Sequence, residues 1–371
     1  MKSNFYIIFC VFCLYGCSKV QQATDFITKP SAREIYMRDF KDSDSLVRIW
    51  NAALFKAKSN QLEASLPFVM SSQSGKGKAS ALGYTIELKR GEILKISVEK
   101  SLDSGVVFID LFEIEAAATL SEKPLVSNEW KVDSISYKTQ RSGFYKVVIQ
   151  PELRDSLLYT TKIYTQPSFR FPVSGKGNAA MGSFWGVTRD GGKRSHEGID
   201  IFAARGTPVL AATAGSISFT GNRGLGGKQV WLRDGLFGQS LYYAHLDSIM
   251  IATGARVKKG DTLGLVGNTG NAKTTSPHLH FGIYTRSGAI DPLPFIKKRE
   301  IPASSNALTF TQARTKLQKN ELRTGASTTY ENLKSLTKDQ VVEIVGKTQQ
   351  WYHVRLADSL EGFMHQSLLH K

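Results

Sequence analysis

His278 and His280 stand two residues apart in SPHLHFGIY, His196 and Asp200 four apart in SHEGIDI, and His245 lies between the two motifs in LYYAHLD. In an extended strand residues i and i+2 point to one face, so His278 and His280 look into a single space while Leu279 points away into a core. SHEGIDI works the same way if it enters a strand. Ile199, Ile201 and Phe202 favour β structure, Gly198 disfavours helix, and positions i and i+4 then share a face. Imidazoles and a carboxylate converging in this way are the donor set of a hydrolytic zinc site, which takes three N or O ligands and leaves a fourth position for water. His196, Asp200 and His280 are assigned as ligands of one Zn2+ per chain. His245 and His278 remain beside the metal as catalytic groups that move protons or hold a developing oxyanion. A single histidine on a strand is most often a satisfied core or surface group, and it is the combination that carries the reading. His353, His365 and His370, near the C-terminus, are expected to be ordinary surface groups.

The elements around these motifs must be strands. VLAATAGSISFT, KQVWLRD, QSLYYAHL and DTLGLVGN are short β-rich runs separated by glycine-bearing turns, and no helix-length periodic segment interrupts them. Gly224 and Gly226 open no strand-to-helix unit, so a phosphate-binding loop is excluded.

With these motifs in view, residues from about 165 to 298 resemble the LytM/lysostaphin-type zinc metalloendopeptidases that cleave peptidoglycan cross-links. The resemblance runs through GSFWGVTRDGGKRSHEGIDIFAARGTPVLAATAGSI and through GARVKKGDTLGLVGNTG with SPHLHFGIY. It implies the same division of labour: His196, Asp200 and His280 on zinc, His245 and His278 as catalytic histidines. One departure is the longer segment NAKTTSP before His278, which bears on the rim of the substrate cleft.

The remaining chain divides around this region. Residues 1–17 read as a lipoprotein signal, with a lysine near the start and an apolar run from Phe5 to Leu14. That run is too short for a membrane span, which needs roughly 20 residues. The ending Leu14-Tyr15-Gly16-Cys17 resembles a lipobox in which Cys17 is lipidated, with simple signal cleavage as the alternative. All three cysteines, Cys10, Cys13 and Cys17, fall in this signal, so disulfides and thiolate zinc sites are excluded from the rest. The expected location is the cell envelope, anchored by lipid to the outer membrane and facing the periplasm.

Residues 18–63 are expected to be a tether and a helical segment. Ser45 or Asp44 is its N-cap, and Leu46, Ile49, Trp50, Ala53 and Leu54 form one stripe. Residues 64–166 alternate as short strands and spell a small antiparallel β-sandwich. The peptidase region spans 167–298, and 299–320 reads as a linker. Residues 321–371 resemble the bacterial Src-homology-3-like barrel, through Leu322-Arg323-Thr324-Gly325, Trp351-Tyr352-His353-Val354 and Gly362-Phe363-Met364. Such a barrel implies contact with wall peptides, for which Tyr330, Trp351 and Tyr352 are the candidates; an autonomous cap on the enzyme is the other reading. The fold class is therefore mainly β: a sandwich after a short helical segment, a β-rich metallopeptidase domain and a small C-terminal barrel.

The formal charge is +16 in a chain that is 41% hydrophobic and 22% charged. Lys and Arg are spread over all regions rather than gathered on one face, and an exported chain does not meet nucleic acid, so that partner is excluded. Peptidoglycan and the membrane, through the N-terminal lipid, are the expected partners. The function expected is a lipid-anchored, zinc-dependent endopeptidase that hydrolyses amide bonds of stem or cross-linking peptides. One alternative is a catalytically silent envelope regulator that activates a separate peptidoglycan amidase, its amidase or divisome partner unknown. A wall-binding lipoprotein with a vestigial zinc domain is the other.

Overall fold

The structure is a computed structural model that describes residues 28–371 apart from 29, 39, 41–44, 116–118, 236–237 and 305–307. The signal, the lipobox and Cys17 lie outside the described residues, as does Asp44. No helix among the described residues is long and apolar enough to cross a membrane.

The chain is mainly β, as its alternating runs require. The helix Ser45–Ser59 begins where the cap was expected, but its buried face differs from the expected stripe. Val47, Trp50 and Ala57 are buried, whereas Leu46 and Ile49 are exposed. Trp50 decides the rotation: its indole packs on Phe108 and Tyr36 and its N–H donates to the Pro151 carbonyl at 3.1 Å. A polar handle on a large buried ring must find a partner, and this one fixes the face that turns inward.

Two sheets follow. One holds Leu82–Leu88, Gly143–Pro151, Val107–Glu113 and Val126–Ser127. The other places Glu92–Lys100 beside Ser134–Lys138 on one side and Leu157–Pro167 on the other, and Leu157–Pro167 pairs in turn with Phe68–Ser74. Their inner faces share one apolar core that includes Tyr84, Leu94, Leu111, Val147 and Ile163.

This second sheet does not end at the sandwich. Phe68–Ser74 also pairs with Val341–Thr348 of the C-terminal barrel, through Ser71 with Lys347 and Ser72 with Gly346. Val345 and Phe363 of the barrel lie in the sandwich's core cluster. The barrel is therefore built onto the N-terminal region rather than hung from it. Part of the expected linker also belongs to it: Gln312–Thr315 is a strand paired with Val341–Thr348, and Leu308 and Phe310 pack on the barrel core. A short strand with only one apolar side chain, Ala313, gives no alternation to read.

The candidate wall-contact aromatics are correspondingly less free than expected. Tyr352 is 7% exposed and sits in the barrel core against Phe310. Trp351 is half-buried against the sandwich core, and half-buried Tyr330 makes a 2.5 Å hydroxyl contact with Ser65. His353, expected at the surface, is fully buried between the two units.

The peptidase region contains an eight-stranded sheet whose middle runs Gly227–Asp234, Ser240–Ala244, His278–Thr285 and Ile199–Phe202. A three-stranded sheet of Pro208–Leu210, Thr262–Val266 and Leu246–Ile249 packs beside it. The region docks on the sandwich through Gly91, which has φ 96° and lies under the Phe295 ring; a β-carbon there would stand 2.5 Å from that ring. Gly91→Ala meets both a strained backbone and an occupied space, and should cost about 2–4 kcal/mol in chemical denaturation. A loss below about 0.5 kcal/mol would show that this junction is loose.

Candidate active site

The strand His278–Thr285 is central. Leu279, Phe281 and Ile283 are wholly buried in the peptidase core, so the even-numbered side chains face the opposite way. Register then does the assembly. His280 lies directly across from Asp200 on one neighbour and from Ala244 on the other, and His278 lies across from Phe202.

His245 follows Ala244 immediately. It holds a left-handed φ of 62°, a conformation that non-glycine residues adopt at a cost and keep where the surroundings demand it. Its N–H donates to the Gly226 carbonyl at 2.8 Å, and the turn swings the imidazole toward His278 and His280, at ring separations of 5.1 and 5.8 Å.

His196 arrives by a different route from the one expected. It precedes the strand Ile199–Phe202, and a two-way backbone pairing with Val187 and Gly186 holds it. The chain then turns through Glu197 and Gly198 before Asp200. At Gly198 a β-carbon would lie 2.7 Å from the His280 ring, so only glycine lets the chain pass this close.

The donor atoms converge tightly. His196 Nε2 is 3.1 Å from Asp200 Oδ1, His280 Nδ1 is 3.0 Å from the same oxygen, and the two nitrogens are 3.0 Å apart. These three residues form a group that could hold a metal ion. Their surroundings suit that use. His196 Nδ1–H donates to the Phe184 carbonyl at 2.8 Å, which fixes the ring with Nε2 turned inward toward Asp200 and His280.

The other two histidines are held likewise. Nδ1–H of His245 donates to the Thr269 carbonyl at 2.9 Å and Nδ1–H of His278 to the Ser276 carbonyl at 2.8 Å, so in each ring Nε2 is the nitrogen left for the site. His278 Nε2 is 3.9 Å from Asp200 Oδ1, beside the donor triangle but outside it.

The electrostatics match. Burial alone would raise the Asp200 pKa, but the hydrogen bonds and charges of His196 and His280 hold it well below the carboxylate range. Burial lowers His280, with Asp200 opposing, and burial together with His280 and His278 lowers His245 to about 4. His245 is accordingly a neutral imidazole at neutral pH, able to accept a proton.

These groups line a cleft of about 660 Å³. Its walls add residues that the motifs did not reveal: Arg189, Arg194, Glu197, Tyr242 and Tyr284. Tyr284 was legible in principle, since it shares parity with His278 and His280 on the same strand. Tyr242 packs at a tilt on Trp231 with 4.5 Å between ring centres, and Tyr284 O–H donates to Glu197 Oε2 at 3.1 Å. Arg189 had no signal; it reaches the site across a turn, where its Nη2 donates to Asp200 Oδ2 at 3.0 Å and Ser183 Oγ at 2.6 Å. The segment before His278 supplies Asn271, Ala272 and Thr275 to the cleft wall, so the departure noted in NAKTTSP does fall on the rim. Asp110, away from the cleft in the sandwich, is buried and bound to Arg33 at 2.7 Å.

Residues 194–292 match the sequence model of Peptidase family M23, and residues 321–370 that of the Bacterial SH3 domain. The chain is 35% identical over 142 residues to an L-Ala--D-Glu endopeptidase of Bacillus subtilis (strain 168), covering 35% of this chain and 43% of that protein. It is 39% identical over 121 residues to the glycyl-glycine endopeptidase ALE-1 of Staphylococcus capitis, 30% of this chain and 32% of that protein. It is 38% identical over 109 residues to the uncharacterized lipoprotein YgeR of Escherichia coli (strain K12), 29% of this chain and 41% of that protein. The chain thus spans less than half the length of each of these relatives.

Proposed function

From a chain that carries a peptidase family M23 domain followed by a bacterial SH3 domain, we propose a zinc-dependent peptidoglycan endopeptidase that hydrolyses an amide bond of a stem or cross-linking peptide. The observation that carries the proposal is the meeting of His196, Asp200 and His280 within hydrogen-bonding distance of one another, at the floor of a cleft that also presents His245 and His278. Relatives named as endopeptidases of an L-Ala--D-Glu and of a glycyl-glycine bond support the choice of a peptide amide as the bond cut.

In this reading His196 through Nε2, Asp200 through Oδ1 and His280 through Nδ1 would hold the ion. A bound zinc would supply Lewis acidity for the scissile carbonyl and a water acidified toward neutrality. The residues do the rest. His245 and His278, each with Nδ1–H tied to a backbone carbonyl, present Nε2 toward the reacting centre. One takes a proton as the amide carbonyl is attacked, and the protonated imidazole can then stabilise the oxyanion and deliver the proton to the leaving amine. Asp200, held ionised, offsets the charge of the cation and the protonated imidazoles around it. The rival reading, a silent activator of a separate amidase, would leave this complete donor set without a use.

Envelope location and anchoring through a lipidated Cys17 remain part of the proposal. They are supported by the signal-like first seventeen residues and by the similarity to a lipoprotein. The test is release of dye-labelled fragments from purified sacculi by a chain lacking residues 1–17. Release should stop with a chelator and return with one equivalent of zinc. Failure of the zinc-loaded protein to release any fragment would remove the hydrolytic reading.

A further inference from the structure

The Asp200 carboxylate is divided between two sets of partners. His196 Nε2, His280 Nδ1 and His278 Nε2 all face Oδ1, at 3.1, 3.0 and 3.9 Å, whereas Arg189 Nη2 donates to Oδ2 at 3.0 Å. The same Nη2 donates to Ser183 Oγ at 2.6 Å, so both of its hydrogens are engaged. Ser183 is itself fixed. It lies across from Asp200 on the neighbouring strand Met181–Ser183, and its hydroxyl stands 3.4 Å from His196 Nδ1. The next residue, Phe184, supplies the carbonyl that holds the His196 ring.

An ion pair made only to tie the Arg189 turn to the sheet can use either carboxylate oxygen, or both through the parallel N–H groups of a guanidinium. Here one nitrogen takes the single oxygen that the histidines leave. The terminal torsion of an aspartate is broad and roughly two-fold, so its carboxylate keeps one orientation only where both oxygens have fixed partners. The Arg189 side chain is 33% exposed and that of Asp200 11%, which puts this contact at the wall of the cleft, where Arg189 and Asp200 both line it.

We infer that Arg189, braced by Ser183, is a positioning residue that limits Asp200 to one donor oxygen, Oδ1, and so keeps a coordination position open at a metal held by His196, Asp200 and His280. The inference rests on the zinc-peptidase reading above and deepens it. A carboxylate binds a cation through one oxygen or through both. A second bond from Oδ2 would fill the place that hydrolytic sites keep for water or substrate. The guanidinium competes for that oxygen with a charge-assisted hydrogen bond, the kind of outer support that orients a ligand and tunes its ion.

The test loads the chain lacking residues 1–17 with Co2+, whose visible absorption is strong in a four-coordinate site and weaker as further ligands join. The parent chain should give the strong spectrum. R189M, which keeps the length of the side chain and removes its donors, should bind cobalt with the parent stoichiometry but absorb more weakly. The zinc-loaded R189M chain should lose roughly 10- to 100-fold in kcat on cross-linked stem peptides, with KM little changed. R189K, which still offers a cation and donors to Oδ2, should restore part of both the spectrum and the turnover.

An R189M spectrum identical to that of the parent would overturn the inference. So would loss of the metal from R189M, which is what a merely structural support would give. The spectral change in R189M, with no hydrolysis by the parent chain, would support the positioning role and refute hydrolysis. A parent chain that takes up no cobalt would remove the metal reading and this inference with it.

Discussion

His278→Ala should bind zinc with the parent stoichiometry and yet lose roughly 10²- to 10⁴-fold in turnover, the usual share of a general acid–base. The expectation comes from position. His278 Nε2 stands 3.9 Å from Asp200 Oδ1, outside the 3.0–3.1 Å triangle of donors, and its Nδ1 is occupied by the Ser276 carbonyl. His280→Ala, two residues on, should behave differently. It removes one corner of the triangle, leaves Asp200 buried with one fewer hydrogen-bond partner, and should lose both metal and activity. Metal content by atomic spectroscopy on the two purified variants separates the roles. Loss of zinc from His278→Ala, or full zinc in His280→Ala, would reverse the division between ligand and catalyst.

Glu361→Ala should destabilise the chain by about 1–3 kcal/mol, because it removes a buried acceptor shared by several donors, of which Arg355 keeps Glu343 as a second partner. Glu361 is buried where the barrel meets the sandwich. Arg355 Nε donates to it at 2.8 Å, His353 Nε2 lies at 3.3 Å, and Lys56 from the helix Ser45–Ser59 reaches it at 2.8 Å. Tyr84 of the sandwich hydrogen-bonds His353 Nδ1 at 3.0 Å and extends the network across the junction. Lys56 is 40% exposed and adds little, and Arg355 keeps its pairing with Glu343 at 3.1 Å, so the loss falls chiefly on the buried His353.

The same group gives a pH dependence. Burial would raise the Glu361 pKa, but His353, Arg355 and Lys56 hold it well below its ordinary value of 4.5. A depressed carboxylate contributes stability that is complete above that ordinary value and is lost as pH falls below it toward the folded value. Unfolding midpoints should therefore drop below about pH 4.5 in the parent chain and drop less in Glu361→Gln. An acid profile that Glu361→Gln leaves unaltered would place the sensitive group elsewhere.

How much of this could be read from the residues depends on which physical rule places each one. His278 and His280 were legible because a strand has period 2 and one of its faces is buried, which the wholly buried Leu279 and Phe281 display. The convergence of His196 on the same space was expected for the wrong reason. Its approach depends on a turn at Gly198 and on backbone pairing with Val187, neither of which has a spacing rule. Arg189 could not be found from sequence at all, since it meets Asp200 through a hairpin whose register only the fold defines.

The C-terminal barrel shows why alternation can mislead. In Trp351–Arg355 the three middle residues, Tyr352, His353 and Val354, are all buried, because the strand has the barrel core on one face and the sandwich on the other. A strand covered on both sides loses its period, and His353, read as a surface group, becomes the centre of the junction. The strand Phe68–Ser74 carries a weak signal for a related reason: Ser71, Ser72 and Ser74 are buried in it, and a serine-rich run does not look like a core strand.

The measurement that bears most directly on the central claim is mass analysis of muropeptides from cross-linked sacculi incubated with the zinc-loaded chain lacking residues 1–17. The expected products are fragments whose summed mass exceeds that of the intact peptide by one water per cut, each cut exposing a new amino and a new carboxyl terminus, with His278→Ala and chelated protein giving none. Sacculi whose peptides stay intact, or whose only new ends are in the glycan strands, would contradict a peptide-amide hydrolase built on His196, Asp200 and His280.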